Sequence, residues 1–335
     1  MYNGKRKQAF RLAMVIMVFG FLFFILSACA KPIISTLPKS DKTCLRVYYV
    51  DVLQGDCIFA VMPNGENFMI DLGNGSDLAN DNILQVLNEE KVKTIDNLII
   101  THPDQDHVGG AFKVLNNVDV KNVYVPYILD LTLFPKYQSV IEFLQDKDAR
   151  FITSDSYKLI KGDDYSLAFL TPTPINQTDS AYGDLLASQS PTSKQINNLS
   201  PIIYFEYYGV RFLFTGDAEI EQEKVLLSNY YSNVYKNTFA VFGVDVALEN
   251  IDFLKVSHHG SNDATYDGFL NLILPKHAMI SVDGDNIYNL PNSQVLKRIQ
   301  TANPTCAFWR TDVYGTMVVN VAKDGTYKIL TQLEG

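Results

Sequence analysis

Three apolar runs of this chain each end in a loop of metal-binding side chains, so the fold has to bring the ends of those runs together. The first, Ile95-Asp96-Asn97-Leu98-Ile99-Ile100, enters Thr101-His102-Pro103-Asp104-Gln105-Asp106-His107-Val108-Gly109-Gly110. The second, Arg211-Phe212-Leu213-Phe214, enters Thr215-Gly216-Asp217-Ala218-Glu219. The third, Ile251 to Ser257, enters His258-His259-Gly260-Ser261. Four of the five histidines lie in these loops. Short apolar runs bounded by turn residues read as buried strands, and layered α/β architectures assemble their sites in the loops at strand ends. Gly109 and Gly110 are expected to let the chain turn sharply. Imidazoles and carboxylates crowded this closely would repel or stay unsatisfied unless a cation neutralised them. Nitrogen and oxygen donors together suit Zn²⁺, Mn²⁺ or Fe²⁺. The fifth histidine, His277, precedes an apolar run and reads as structural.

Other segments join these three in a fixed order. They are Val50-Asp51-Val52-Leu53-Gln54-Gly55-Asp56-Cys57, Met69-Ile70-Asp71-Leu72-Gly73-Asn74-Gly75, and Asn197-Asn198-Leu199-Ser200 ahead of Pro201 to Phe205. From about Leu45 to about Leu333 the chain resembles the metallo-β-lactamase fold hydrolases. Within them it resembles the extracytoplasmic hydrolase domain of the competence protein ComEC, which carries D-V-x-Q-G-D, H-P-D-x-D-H-x-G-G, N-N-x-S, T-G-D and H-H-G-S segments. The resemblance implies an α/β class, α+β sandwich fold of αββα type, with two mixed β-sheets flanked by helices. The chain departs from the commoner pattern in two places. Asp104 stands where H-x-H-x-D-H has its second histidine, and no histidine lies between His107 and His258. A site with fewer nitrogens and more carboxylates shifts preference toward Mn²⁺ or Mg²⁺, or weakens one of two Zn²⁺ positions. β-Lactam hydrolysis is not expected.

By the same resemblance the cofactors are two divalent metal ions, Zn²⁺ or Mn²⁺. His102, Asp104 and Asp217 would hold one, with Asp106, His107 and His258 on or near the second and Asp217 bridging. Water between two cations about 3.5–4 Å apart loses a proton near neutral pH and becomes a nucleophile. Asp106 is the expected residue to orient it and to pass a proton to the leaving group. His259 is also placed on the catalytic side, and Lys255 and Ser261 are candidate substrate contacts. Adjacent residues on an extended chain face opposite ways, so only one of His258 and His259 is expected to ligate, and His258 is preferred. Asn198 and Ser200 are read either as active-site support or as turn and strand-entry residues.

The N-terminus points to the location. Lys5, Arg6, Lys7 and Arg11 precede an apolar run, Leu12 to Leu26, that is short for a membrane span. Leu26-Ser27-Ala28-Cys29 resembles a bacterial lipoprotein signal. The expected organisation is a signal over residues 1–28, a lipid on Cys29, a tether over 29–42 and a hydrolase domain over 43–335. An uncleaved single-span anchor is the alternative. Either way the domain is extracytoplasmic, lipid-anchored or otherwise held at the cell membrane. Cys44, Cys57 and Cys306 remain, and at most one pair can form.

Charge constrains the substrate. The formal net charge is −9, and removing the basic signal leaves a still more acidic body. Such a body is a poor non-specific binder of duplex DNA. Tyr207-Tyr208 and Tyr230-Tyr231 offer stacking surfaces for single-stranded bases or filling for a core. The expected activity is metal-dependent phosphodiester cleavage, with single-stranded nucleic acid or a nucleotide as substrate; no protein partner is inferable. The alternatives are a cell-envelope ester hydrolase, of choline-phosphate or lactone type, and a non-catalytic metal-binding lipoprotein. Strands are predicted at Leu45–Val52, Ile58–Val61, Phe68–Asp71 and Leu98–Thr101, and helices at Asp81–Glu90, Tyr137–Leu144 and Glu219–Leu227. Ile175–Gln195 and Ser228–Glu249 are predicted as long loops governing access. Trp309 to Thr316 is predicted as a last hairpin closing the second sheet.

Overall fold

Among the residues that the computed structural model describes (36–128, 130–173 and 190–334), fifteen strands form two sheets. The first sheet takes β1 (Leu45–Tyr49), β2 (Ile58–Val61), β3 (Asn67–Ile70), β4 (Thr94–Ile99), β5 (Asp119–Val125) and β6 (Arg150–Thr153). The second takes β7 (Leu159–Lys161), β8 (Tyr165–Phe169), β9 (Ile203–Tyr207), β10 (Val210–Phe214), β11 (Phe253–Lys255), β12 (His277–Ile280) and β13 (Ala307–Arg310). The chain then returns to the first sheet with β14 (Met317–Val321) and β15 (Tyr327–Thr331). Spatial orders are β15-β14-β1-β2-β3-β4-β5-β6 and β13-β12-β11-β10-β9-β8-β7. Both sheets are mixed: β3 to β6 and β10 to β13 run parallel, and the other pairings are antiparallel.

Helices cover the outer faces. They are α1 (Asp77–Glu89), α2 (Gln105–Val108), α3 (Ala111–Leu115), α4 (Pro135–Asp146), α5 (Ser193–Asn197), α6 (Ile220–Tyr231), α7 (Val234–Phe239), α8 (Asp267–Ile273) and α9 (Ser293–Ala302). Strand side chains alternate faces, and that alternation divides the core into layers. Leu45, Val47 and Tyr49 of β1 join Phe212 and Phe214 of β10 in the apolar layer between the sheets. Tyr48, one residue out of step, packs outward with Ile83 and Val86 of α1 and Val140 and Leu144 of α4. Leu213 likewise packs with Leu226 of α6, Phe269 of α8 and Ile299 of α9. Phe68 and Phe205 meet edge-on across the two sheets at 5.0 Å. Truncating a buried ring of this kind to alanine costs about 3–5 kcal/mol.

Several boundaries differ from the sequence expectation for local reasons. The Ser76 hydroxyl caps α1 by accepting from the Ala79 N–H, so the helix starts a turn early. Segment Ser228–Glu249 is not an access loop. It continues α6 and forms α7, and Tyr235, Phe239, Val246 and Leu248 are buried in the outer core of the second sheet. Trp309 to Thr316 is not a hairpin: β13 ends the second sheet, a helical turn follows over Thr311–Tyr314, and β14 pairs β1 in the other sheet. Most of the predicted loop Ile175–Gln195, and Cys29 with its signal, lie outside the described residues. Cys44, Cys57 and Cys306 are all free thiols. His277 stacks on Phe253 at 4.8 Å and hydrogen-bonds Trp309 and Tyr327, a packing role.

Candidate metal centre

The parallel strands β3, β4, β10 and β11 deliver their C-terminal ends to one edge of the sandwich, the position where open α/β sheets bind ligands. Asp71 follows β3, His102 to His107 follow β4, Asp217 follows β10, and His258 and His259 follow β11. After β4 the chain enters α2, where the Asp104 carbonyl accepts from the N–H groups of His107 and Val108. That helical turn sets Asp106 and His107 side by side over the strand ends. Gly109 and Gly110 do not make the sharp turn expected of them, since both have ordinary right-handed φ, −59° and −81°. They are needed for close approach: a Cβ would lie 2.2 Å from the Asn74 carbonyl oxygen at Gly109 and 2.3 Å from that of Leu72 at Gly110.

Asp217 is the hub. Its Oδ2 lies 3.3 Å from His107 Nε2, 3.5 Å from His259 Nε2, 3.8 Å from His258 Nε2 and 3.9 Å from His102 Nε2. Asp104 Oδ2 is 3.7 Å from His102 Nε2, with its side chain 40% exposed at the rim. Asp106 Oδ2 stands 3.5 Å from His259 Nε2 and 3.9 Å from His107 Nε2. Several metal-sized groupings overlap here, among them His102, His107 and Asp217; Asp106, His107 and His259; and Asp56, Asp217 and His259.

Neighbours fix each ring. His107 Nδ1 donates to Asp71 Oδ2 at 2.7 Å, and Asp71 also accepts from the Thr101 N–H and hydroxyl. His259 Nδ1 lies 2.9 Å from the Ser281 carbonyl oxygen. A carbonyl only accepts, so that nitrogen carries the proton and Nε2 presents a lone pair inward. His102 Nδ1 sits between the hydroxyls of Thr101 and Ser200, at 3.0 and 3.2 Å. The Nε2 atoms of His102, His107 and His259 and Oδ1 of Asp217 are buried with no hydrogen-bond partner. Unpartnered buried polar atoms are costly, and here four of them converge on one point. Nitrogen lone pairs facing carboxylate oxygens are the donor set of a divalent cation, so these residues fit one.

The electrostatics agree. Burial, with the charge on His107 adding to it, pushes His102 down to about 3, so this ring is neutral and able to ligate. Burial opposes charge on His259, but Asp217 and Asp106 outweigh it and raise the ring to about 10. Burial likewise opposes charge on His107 and is outweighed by Asp217, Asp71 and Asp106. Asp104 is raised to about 6, chiefly by burial. For Asp106 the upward push of burial loses to His107 and His259, and the carboxylate stays ionised. The cluster thus attracts positive charge, and protons and cations compete for it.

Other predicted residues fall in different places. His258 and His259 are not on an extended chain: both have left-handed backbones, φ 48° and 53°, and both rings reach Asp217. Both line the cavity; His259 is nearly enclosed, whereas His258 is partly exposed and also groups with Glu219 and Asp263. Ser200 ties the site together, since its hydroxyl also accepts from the Asp217 N–H at 3.2 Å. Asn198 acts one step away, accepting from the Glu219 N–H and donating to Glu221. Lys255 does not reach substrate. It is fully buried, with Nζ 2.6 Å from Asp56 Oδ2. Ser261 lines the cavity and donates to Asp263. Sequence reasoning missed Asp56, Asp71 and Thr101, although all three stand in quoted motifs, the first two each an acid just outside an apolar strand. The cavity over the cluster measures about 670 Å³, and Asp104, Asp106, Asp217, His258 and Ser261 are in its wall.

Residues 50–284 match the sequence profile of the metallo-beta-lactamase superfamily. The chain is 27% identical to ComE operon protein 3 of Bacillus subtilis (strain 168) over 287 residues, 81% of this chain and 32% of that protein. It is 23% identical to Competence protein ComA of Neisseria gonorrhoeae over 247 residues, 74% of this chain and 28% of that protein. It is also 23% identical to Recombination protein 2 of Haemophilus influenzae over 287 residues, 85% of this chain and 30% of that protein. The chain spans about a third of the length of these relatives.

Proposed function

The chain belongs to the metallo-beta-lactamase superfamily, and from that premise we propose that this hydrolase cleaves phosphodiester bonds with two divalent cations, Zn²⁺ or Mn²⁺. His102, Asp104 and Asp217 would hold one, and Asp106, His107 and His259 the other, with Asp217 shared. The observation that carries this reading is the convergence of unpartnered Nε2 atoms from three buried histidines on the Asp217 carboxylate. A bound divalent pair would polarise a phosphoryl oxygen and bring a water's proton loss near neutral pH. The protein's own part is to hold the rings at fixed tautomers through Asp71 and Ser281, and to leave Asp106 at the cavity wall to take and return a proton. His259 is preferred over His258 as ligand because the Ser281 carbonyl fixes its lone pair inward. His258, on the cavity wall, is left to contact substrate.

The similarity to competence proteins supports a nucleic-acid or nucleotide substrate, and the signal-like start ending at Cys29 supports a lipid-anchored, extracytoplasmic placement. The test is hydrolysis of bis(p-nitrophenyl) phosphate and single-stranded DNA by the purified full chain, metal-stripped and then with Mn²⁺ or Zn²⁺ restored. Metal-dependent cleavage that Asp106→Ala lowers about 10²–10⁴-fold is expected. Stoichiometric metal binding without cleavage would move the assignment to envelope esters. No metal binding would favour a non-catalytic module.

A further inference from the structure

The rim of the cavity carries one segment unlike the rest of its wall. Between β12 and α9 lie two exposed apolar side chains, Ile287 at 85% and Tyr288 at 66% exposure. Tyr288 is part of the same cavity as Asp106, Asp217 and His258. An aromatic ring left in water beside a polar site adds nothing to the core, and its π face is open to a stacking ligand.

The backbone under this ring is held in place. Asn286 Nδ2 donates to the carbonyls of Asp283 at 2.6 Å and Leu290 at 2.8 Å. Its Oδ1 accepts from the N–H groups of Tyr288 at 3.2 Å and Leu290 at 2.9 Å. Four hydrogen bonds from one side chain close the loop on itself. Tyr288 is therefore presented from an ordered backbone, and a ligand that covers it bears little ordering cost.

A second concavity containing Lys194 and Lys224 shares Ser193, Asn197, His258 and Asp263 with the first. A groove therefore runs from Tyr288, past His258, to an end of mixed charge, where Lys194 and Lys224 stand among Glu219, Glu221 and Asp263 and Lys194 is paired with Glu221 at 2.5 Å. A net charge of −9 leaves little surface-wide attraction for a polyanion, so affinity has to come from local contacts. We propose that Tyr288 is a stacking platform for a nucleobase, and that the site thereby selects phosphodiesters bearing bases. This rests on the phosphodiesterase reading and names its substrate class.

The experiment compares oligothymidylate with a sugar-phosphate strand of equal length that lacks bases. Wild-type full chain loaded with Mn²⁺, Tyr288→Ala and Tyr288→Phe are each measured for kcat and KM. Binding of fluorescein-labelled oligothymidylate is followed by anisotropy. Tyr288→Ala is expected to raise KM on oligothymidylate about 5- to 150-fold, the loss of one stacked base. It should leave kcat and the baseless strand unchanged, and Tyr288→Phe should behave as wild type. No change on either substrate, equal loss on both, or a Phe variant as impaired as the Ala variant overturns the proposal. If wild type cleaves neither strand, the phosphodiesterase reading falls separately, and anisotropy decides the platform. Weaker binding by Tyr288→Ala alone sustains it. Equal binding by both proteins, or none by either, overturns it.

Discussion

Lys255 Nζ lies 2.6 Å from Asp56 Oδ2, and neither side chain reaches solvent. The pair joins the loop after β1 in one sheet to the end of β11 in the other, directly beneath the histidines. Lys255→Met should cost about 3–5 kcal/mol by leaving the Asp56 carboxylate buried and unpaired, and Lys255→Met combined with Asp56→Leu should recover most of it. Urea unfolding of the three proteins checks this. A single variant within about 1 kcal/mol of wild type would show that the ion pair braces nothing.

Asp71 fixes the proton of His107 on Nδ1. An amide at this position can offer its own N–H instead and turn the imidazole to the wrong tautomer, so Asp71→Asn should weaken metal binding about 10- to 100-fold with the fold intact. Titration calorimetry with Mn²⁺ or Zn²⁺, beside a circular dichroism spectrum, is the measurement. Unchanged affinity would remove Asp71 from the site's design.

Chelation should destabilise the protein. Free cation at 100 times its dissociation constant adds about 2.7 kcal/mol to the folded state, so Tm should fall with EDTA and recover with Mn²⁺. An Asp217→Ala protein should show a much smaller difference, because the shared carboxylate is gone. Equal EDTA sensitivity in both proteins would place the bound metal elsewhere.

Away from the site, Glu223 is buried and pushed up to about 8 by loss of hydration, against the N–H groups of Thr265 and Tyr266 that favour its charge. Its folded value is raised above the ordinary 4.5, so the folded state binds the extra proton. The stabilisation is full below about 4.5 and is lost as pH rises through about 8. Stability of wild type should therefore slope downward with pH across that window more steeply than that of Glu223→Gln. Parallel slopes would contradict the assignment.

The apolar runs made the strands readable, because period-two burial leaves a plain trace in Tyr48 and Tyr49 or Leu213 and Phe214. The chelating loops were readable because each sits directly after such a run. What escaped depended on distant partners. Lys255 next to H-H-G-S suggests a substrate contact, and only its meeting with Asp56, far away in sequence, shows it to be a buried brace. That His258 and His259 both reach Asp217 follows from a left-handed backbone at both residues, which local pattern does not encode. Ser228–Glu249 read as a loop because its tyrosines and asparagines hide the spacing of Tyr235, Phe239, Val246 and Leu248. The crossover of β14 into the first sheet is a property of topology, with no local signature.

Asp104, Asp106 and His107 enter the site from one sheet, and Asp217 and His259 from the other. A chain with only one half formed holds at most a fragment of the donor set. Competence to bind the cation is thus a signal that the whole sandwich has closed, and an ion captured there would act as a clasp on the finished fold.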